Sequence, residues 1–377
     1  MKNKFSSIAI IALSAIAVLG VGGTAAMLLS KNGTTKTFVQ ETDAQIAKKK
    51  IYSVTFDGEH SQGVRGDDAV GLTAGTNGDL NDFDNCYPWN TMKDVTVGTD
   101  KYVNIDAFYF KIEELDDGMK FSISGYPYRG YMRSTAHYQG NKEFDSILIG
   151  KYEASFANDN ADLASVSGAN VAASITLASA REKAANKGNH LYEWRQHQMI
   201  QLLYAVEFAD LNSQNIFVGH TNSDHLIQTG GTDAMRGSSR GSSTEDSAMA
   251  YRGIENWYGN TWTWIDGICT TKVGGENKIG VSLDWANNDD VDTYRIYDTS
   301  AIIDNVTANG LFIFNLSSLT GDTCYLQYPD EGYYIGLVGG GFNNGSAAGA
   351  FYVNVDNSPS SSYGYYGFRL SRIPSQA

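Results

Sequence analysis

From Ile51 onward, apolar and polar positions alternate in short runs. Ile51–Phe56, Tyr102–Ile112, Lys120–Ser124 and Ser146–Ala154 are the strand candidates, and Tyr102–Ile112 alternates well. Period two is the pattern of a strand with one buried face. Asp117-Gly118 precedes the third run and predicts a hairpin. A helical pattern occurs between about Ser179 and Ala209. Ala178–Lys187 is Ala-rich and stops at Gly188, a favourable residue just past a helix end. Tyr192–Phe208 carries Trp194, Met199, Leu202, Leu203 and Val206 near helical spacing, a stripe that reads as core. Thr229–Ala248 is rich in Gly and Ser without periodicity and reads as a mobile surface insertion. Short strands and turns follow to the end, so the class is α+β.

The N-terminus follows another rule. Ile8–Leu29 is free of charge for 22 residues, with Lys2 and Lys4 before it and Lys31 after it. This length suffices for a hydrophobic helix that spans a bilayer, which takes about 20 residues. A basic stretch before an apolar run also describes a secretory signal, although the apolar part of a signal is usually shorter, about 7–15 residues. Both readings stay open, with length favouring an uncleaved membrane anchor at residues 8–29. Either way the chain is expected membrane-anchored or secreted, at a cell surface. The organisation expected is a signal or transmembrane segment (1–30), a linker (31–50), a β-rich region (51–145) and a larger domain (146–377).

Composition narrows the chemistry. The formal net charge is −14, and Lys48-Lys49-Lys50 is the one basic run, so extensive phosphate contacts and a nucleic-acid partner are not expected. The chain has 40 Gly, 23 Tyr and only 5 Pro, which suits strands and turns. Three cysteines, Cys86, Cys269 and Cys324, do not make a disulfide framework; a Cys269–Cys324 pair stays open in an oxidising compartment. None of the common nucleophile, zinc-protease, phosphate-loop or calcium-loop motifs is present. His220 and His225 flank Asp224 in a polar segment that reads as surface before it reads as a metal site. Asp284–Asp292 is acidic enough to hold calcium through oxygen ligands, yet lacks the turn glycine and terminal Glu of a calcium-binding loop. No cofactor is assigned, and calcium stays open.

Two segments are more specific. In Gly253–Gly267, Trp262 and Trp264 fall on one face of a strand, with Thr261 and Thr263 on the other; the tryptophans read as scaffold. In Gly339–Leu370, 20 of 32 residues are Gly, Ser, Asn or Tyr, and only Asp356 and Arg369 are charged. This is the alphabet of antibody binding loops, where Tyr gives contact area at low entropy cost and Ser, Gly and Asn adapt their hydrogen bonds.

In order along the chain, Ile149–Ala154, Leu191-Tyr-Glu-Trp194, Gly253–Trp264, Gly339-Gly340-Gly341-Phe342 and Gly367-Phe368-Arg369 resemble the landmarks of the C-type-lectin-like fold of the formylglycine-generating-enzyme type. The likeness covers roughly Ser146–Ile373. Catalytic members of that family carry a reactive cysteine pair between the last two landmarks. No cysteine follows Cys324 here, and residues such as Asn344 and Gly349 take those places, so the resemblance implies that the oxidase activity is absent. An enzymatic alternative would have to use Cys269 or Cys324.

The chain is also similar to a non-enzymatic branch, the variable proteins of diversity-generating retroelements, which include phage receptor-binding tail proteins and bacterial surface proteins. In that branch adenine-directed mutagenesis rewrites codons near the C-terminus, and Phe342–Tyr366 has the resulting alphabet. Arg65–Leu72 and Asn81–Trp89 also look like the N-terminal part of phage proteins of this group. The resemblance implies fixed residues at Gly339, Gly340, Phe351, Gly367, Phe368 and Arg369. Strand alternation puts Phe351, Val353 and Val355 on one face and Tyr352, Asn354 and Asp356 on the other. The ligand-facing residues expected are Phe342, Asn344, Ala347, Tyr352, Asn354, Asp356, Ser361, Tyr363, Tyr365 and Tyr366. The apolar N-terminus departs from a virion tail protein and favours display at a cell surface, and the expected partner is a protein or glycan on another cell or a virus. A homo-oligomer stays open, because trimers are common among related phage proteins.

Overall fold

The computed structural model describes residues 26–29, 35–38, 41–283, 294–303, 307–314 and 324–374, which fall into two compact units divided after Lys48. In the first unit, β1 (Ala26–Leu29) pairs antiparallel with β2 (Thr35–Phe38), and a short helix α1 (Asp43–Lys48) follows. The apolar run therefore ends as a strand, and the stretch expected to be linker supplies its partner. Gly22-Gly23 precedes β1, and each glycine costs a helix about 1 kcal/mol relative to alanine. The rest of the expected anchor lies outside the described residues. Among the described residues no helix is long and apolar enough to cross a membrane.

The second unit begins with β3 (Ile51–Phe56), β4 (Val64–Asp67), β5 (Asp94–Val97), β6 (Asp100–Asp106), β7 (Tyr109–Leu115), β8 (Gly118–Ser124) and β9 (Met132–Arg133). One sheet has the order β4-β3-β8-β7-β9. The expected hairpin is present as β7–β8, with Leu115 opposite Gly118 and Asp116-Asp117 as the turn. The run Tyr102–Ile112 is two strands, not one. Ala107 and Phe108 are both buried, and successive residues of one strand cannot share a face. The chain crosses there from one sheet to another.

Of the elements that follow, those that build the larger sheets and the core are β10 (Ser146–Glu153), α2 (Leu177–Ala185), β11 (His190–Leu191), α3 (Trp194–Phe208), β12 (Trp262–Val273), β13 (Glu276–Val281), β14 (Arg295–Asp298), β15 (Cys324–Leu326), β16 (Tyr333–Val338), β17 (Val353–Asn357), β18 (Tyr366–Gly367) and β19 (Arg369–Arg372). A second sheet has the order β11-β19-β10-β6-β5, and a third runs β14-β13-β12-β16-β17-β15 with β18 parallel to β12. Strand β10 pairs with β6 on one side and β19 on the other, so the boundary expected at 145/146 falls inside a continuous sheet. Residues 51–145 and those from 146 onward are one compact unit. This β-rich architecture with few helices agrees with the C-type-lectin-like expectation.

Helix α3 is buried along its whole length. A helix buried all round is normally apolar, yet this one carries Arg195, Gln198, Gln201 and Glu207. Each uses polar groups that its surroundings leave unpaired. Arg195 donates to the carbonyls of Thr135, Tyr138 and Leu283 and to the Glu193 carboxylate. The Gln198 amide donates to Gly310 O at 3.1 Å, and the Gln201 amide to Ala350 O at 2.9 Å. Glu207 accepts from Arg252 (2.7 Å to each oxygen), Tyr251 (2.9 Å) and Asn81 (2.8 Å). Trp89 donates its indole N–H to Leu203 O. The Asn81–Trp89 landmark thus grips α3 and joins the N-terminal strands to the core.

Two further expectations are corrected. The Thr229–Ala248 segment is fastened, not a free insertion: the buried Glu255 carboxylate accepts from Gly230 N, Thr232 N and Thr232 Oγ1, and buried Arg240 donates to Thr232 O. Cys269 and Cys324 are free thiols on β12 and β15. Two strands, β16 and β17, lie between them. That is about 14 Å at the usual strand spacing, too far for a disulfide.

Candidate ligand-binding face

The site is built on a buried polar frame. Glu153 at the end of β10 is enclosed and receives four donors: the amides of Asn256 (2.9 Å) and Asn260 (2.6 Å), and the backbone N–H (3.2 Å) and hydroxyl (2.5 Å) of Thr261. This accounts for Asn256, Asn260 and Thr261 of the Gly253–Trp264 landmark, which converge on one carboxylate. Burial pushes the Glu153 carboxyl up, and its hydrogen bonds and Arg369 oppose the shift. Arg369 is turned inward, donating to the carbonyls of Gly150, Lys151, Glu255 and Asn256. Gly367 sits so close to Thr261 that a Cβ would fall 2.4 Å from its hydroxyl. Gly340 has φ +72°, and a Cβ there would lie 2.8 Å from the Ala348 backbone. Larger residues do not fit at either position, which gives the two glycine landmarks a physical cause.

Two loops leave this frame and are held by main-chain groups. In the first, Phe342 N donates to Asn260 O (2.9 Å), Ser223 N to Phe342 O (2.7 Å) and Gly345 N to Thr221 O (2.7 Å). In the second, Trp262 N donates to Tyr365 O (3.0 Å), Ser174 N to Tyr363 O (3.1 Å) and Leu177 N to Pro359 O (3.3 Å). Main-chain anchoring leaves the loop path independent of most side-chain identities.

Between the loops, β17 alternates as its sequence predicts. Phe351, Val353 and Val355 are buried, while Tyr352, Asn354 and Asp356 are part-exposed on the other face. Tyr352 stands edge-on to Trp262 at 4.7 Å. Tyr363 and Tyr365 stack at 5.5 Å with 16° between their planes, and both meet Tyr366 edge-on. Trp262 and Trp264 are buried scaffold, as expected. The structure thus gathers Tyr352, Asn354, Asp356, Tyr363 and Tyr365 on one face. Phe342, Asn344 and Ala347 lie on the first loop and Ser361 on the second, all part-exposed. Asn344 uses its side-chain oxygen locally, accepting from Gly341 N at 2.8 Å.

Tyr366 departs from the expectation of an exposed contact. It is 6 % exposed, packs against Trp264, and donates its hydroxyl to Asn357 Oδ1 at 2.8 Å. It belongs to β18, whose pairing with β12 holds it against the frame. Conversely, Tyr325 was not expected and is 44 % exposed. Parallel pairing of β15 with β17 sets Tyr325 beside Asn354. Its only sequence signal is the apolar Cys324 and Leu326 on either side.

Burial pushes the Asp356 carboxyl above its ordinary range, and a hydrogen bond from Asn354 partly offsets this. The Oδ1 atom of Asn354 is buried with no hydrogen-bond partner among the described residues. A hollow of about 250 Å³ lies between Thr176, Ala178, Tyr333, Pro359 and Ser360. Another of about 310 Å³ includes Asp84, Asp94, Arg240 and Arg252, where Arg252 already pairs with Asp84 and Glu207, and Lys151 with Asp94.

The other candidate chemistries are spread out. His220 is buried, with its two ring nitrogens 3.2 Å from an Asp246 carboxylate oxygen and 2.9 Å from His225 O. Among the described residues no group of three or more His, Cys, Asp or Glu side chains is arranged to hold a metal. The acidic segment Asp284–Asp292 lies outside the described residues, apart from its surroundings in β13 and β14. Burial pushes the Cys269 and Cys324 thiols up to about 12.

No family model matches the chain, and no curated protein matches it. Among solved structures it is similar to one described as "Major Tropism Determinant U1 Variant", at 15% identity and a TM-score of 0.31, over 94% of this chain and 82% of that one. A likeness of this degree carries no functional weight, and the face is interpreted from its own geometry.

Proposed function

We propose that the protein is a ligand-binding receptor or adhesin displayed at a surface, and that residues 342–365 carry its recognition face. The observation that carries this reading is the division of labour around β17. Loop paths are held by main-chain hydrogen bonds and a buried Glu153–Arg369 frame, while Tyr, Asn and Ser side chains occupy the outside. Such a face tolerates side-chain change without loss of fold. That is the physical requirement of a segment rewritten by a retroelement through adenine-directed mutagenesis, and we extend the proposal to that mechanism.

The ligand class proposed is a protein or glycan. The protein is proposed not to be an enzyme: the Cys269 and Cys324 thiols, pushed up to about 12, supply little thiolate at neutral pH, which disfavours the alternative of a thiol-dependent enzyme of the formylglycine-generating type. Display on a virion, as a tail receptor-binding protein, is a second reading. It is favoured by the strand at Ala26–Leu29, which shortens the apolar run available for a membrane anchor.

The neighbouring DNA tests diversification. A near-identical repeat differing only at adenines, beside a reverse-transcriptase gene, is expected. Its absence would remove diversification and leave an ordinary adhesin. A library randomised at Phe342, Asn344, Ala347, Tyr352, Asn354, Asp356, Ser361, Tyr363 and Tyr365 tests tolerance. Most members should fold with the parental melting temperature; general unfolding would overturn the proposal.

A further inference from the structure

We infer that the recognition face takes a cationic side chain, a guanidinium or ammonium group borne by a protein ligand, at the spot formed by Tyr363, Tyr365, Asp356 and Asn354. This rests on the binding reading above and names the chemistry of what is bound.

Four observations converge. Asp356 is the only side chain from Gly340 to Phe368 that carries a formal charge at neutral pH. Arg369, the next charge, is fully enclosed on four carbonyls and does not reach the face. The Asp356 carboxylate lies close enough to the Tyr365 and Tyr366 hydroxyls to act on both electrostatically. Its partners among the described residues, Asn354 and Asn357, are neutral amides that donate to it without cancelling its charge.

The rings reinforce the sign. Tyr363 is 48 % exposed and stacks on Tyr365, and an aromatic face presents the negative end of its quadrupole. A carboxylate beside tyrosine faces is negative throughout, the arrangement that attracts cations over rings. A guanidinium offers five donors in a planar fork, and an ammonium offers three, so either would donate to the Asp356 carboxylate while compensating its charge. A neutral glycan would stack on the tyrosines but leave the carboxylate uncompensated.

The test is selection of a random heptapeptide display library on the immobilised full chain, followed by binding measurements with individual peptides. Selected peptides should be enriched in Arg or Lys. Their affinity should fall about tenfold or more in Asp356→Asn and in Tyr365→Leu, and weaken with rising salt. Asp79→Asn, at an exposed turn away from the face, serves as the charge control and should leave binding unchanged. Melting temperatures establish that each variant is folded. Peptides that need Tyr363 and Tyr365 but show no basic enrichment would overturn the cation inference and leave the binding reading intact. Neutral glycans on an array bound equally by the parent and Asp356→Asn would do the same. Peptides indifferent to every substitution on the face would overturn both.

Discussion

The buried frame and the exposed face use polar residues in opposite ways. In the frame, around Glu153, Arg369, Glu207 and Arg252, nearly every polar atom has a specific partner, and removing one strands another in a buried site. On the face, Tyr, Ser and Asn side chains project outward while backbone groups carry the architecture. A residue of the frame is therefore dictated by folding. A residue of the face is free to be dictated by a ligand. Tyr366 and Asn344 mark the border, since each has a face-like identity and a structural bond.

The sharpest way to break this contrast is at the Glu207–Arg252 pair. Glu207→Gln leaves the buried Arg252 guanidinium with the part-exposed Asp84 as its remaining carboxylate and should cost about 3 kcal/mol. Denaturant unfolding measures this, and a loss under 1 kcal/mol would show that the frame is not stabilised as described. Next, Glu153→Gln replaces one accepting oxygen by a donor facing donors, for a cost of about 1–3 kcal/mol. It should also disturb Trp262 and Asn260, and with them both loops.

On the face the expectation reverses. Tyr363→Ala and Ser361→Ala should change unfolding free energy by no more than about 0.5 kcal/mol, while Tyr363→Ala removes ligand binding. A large stability loss at Tyr363 would merge the two regions into one.

Near neutral pH the smallest effect comes from the histidines. Burial lowers His137 from 6.5 to about 4 and His197 from 6.5 to about 3. Both rings should stay neutral from pH 8 to pH 5 in an NMR titration. His60, exposed and beside Asp57, has its protonated form favoured and should titrate above the ordinary value. The unfolded chain binds protons at positions 137 and 197 below pH 6.5 that the native chain refuses. Their contribution to stability is therefore complete above 6.5 and shrinks as pH falls toward 4.

Much of the pattern was legible locally. Strands at Ile51, Lys120 and Ser146, the two helices, and the alternation Phe351–Asp356 follow from local side-chain pattern, because each element must take apolar groups out of water. Some breaks were not legible. In Tyr102–Ile112 the period of two changes phase at Ala107-Phe108, and only the two destinations show that this slip is a crossing between sheets and not a bulge within one strand. The Thr229–Ala248 segment has the composition of a loose loop. The groups that fasten it, Glu255 and Arg240, are ordinary charged residues until the fold buries them.

The sequence by itself determined the elements, the outward and inward faces of β17, the scaffold role of Trp262 and Trp264, and the tyrosine-rich character of the C-terminal segment. These are properties of neighbouring residues. Only the tertiary structure decided that α3 runs through the core with paired charges, that Tyr325 joins the face, that Tyr366 leaves it, and that Cys269 and Cys324 stay apart. Each depends on which strands are neighbours. That choice is made by burial and hydrogen bonding across long stretches of chain, where local pattern carries no information.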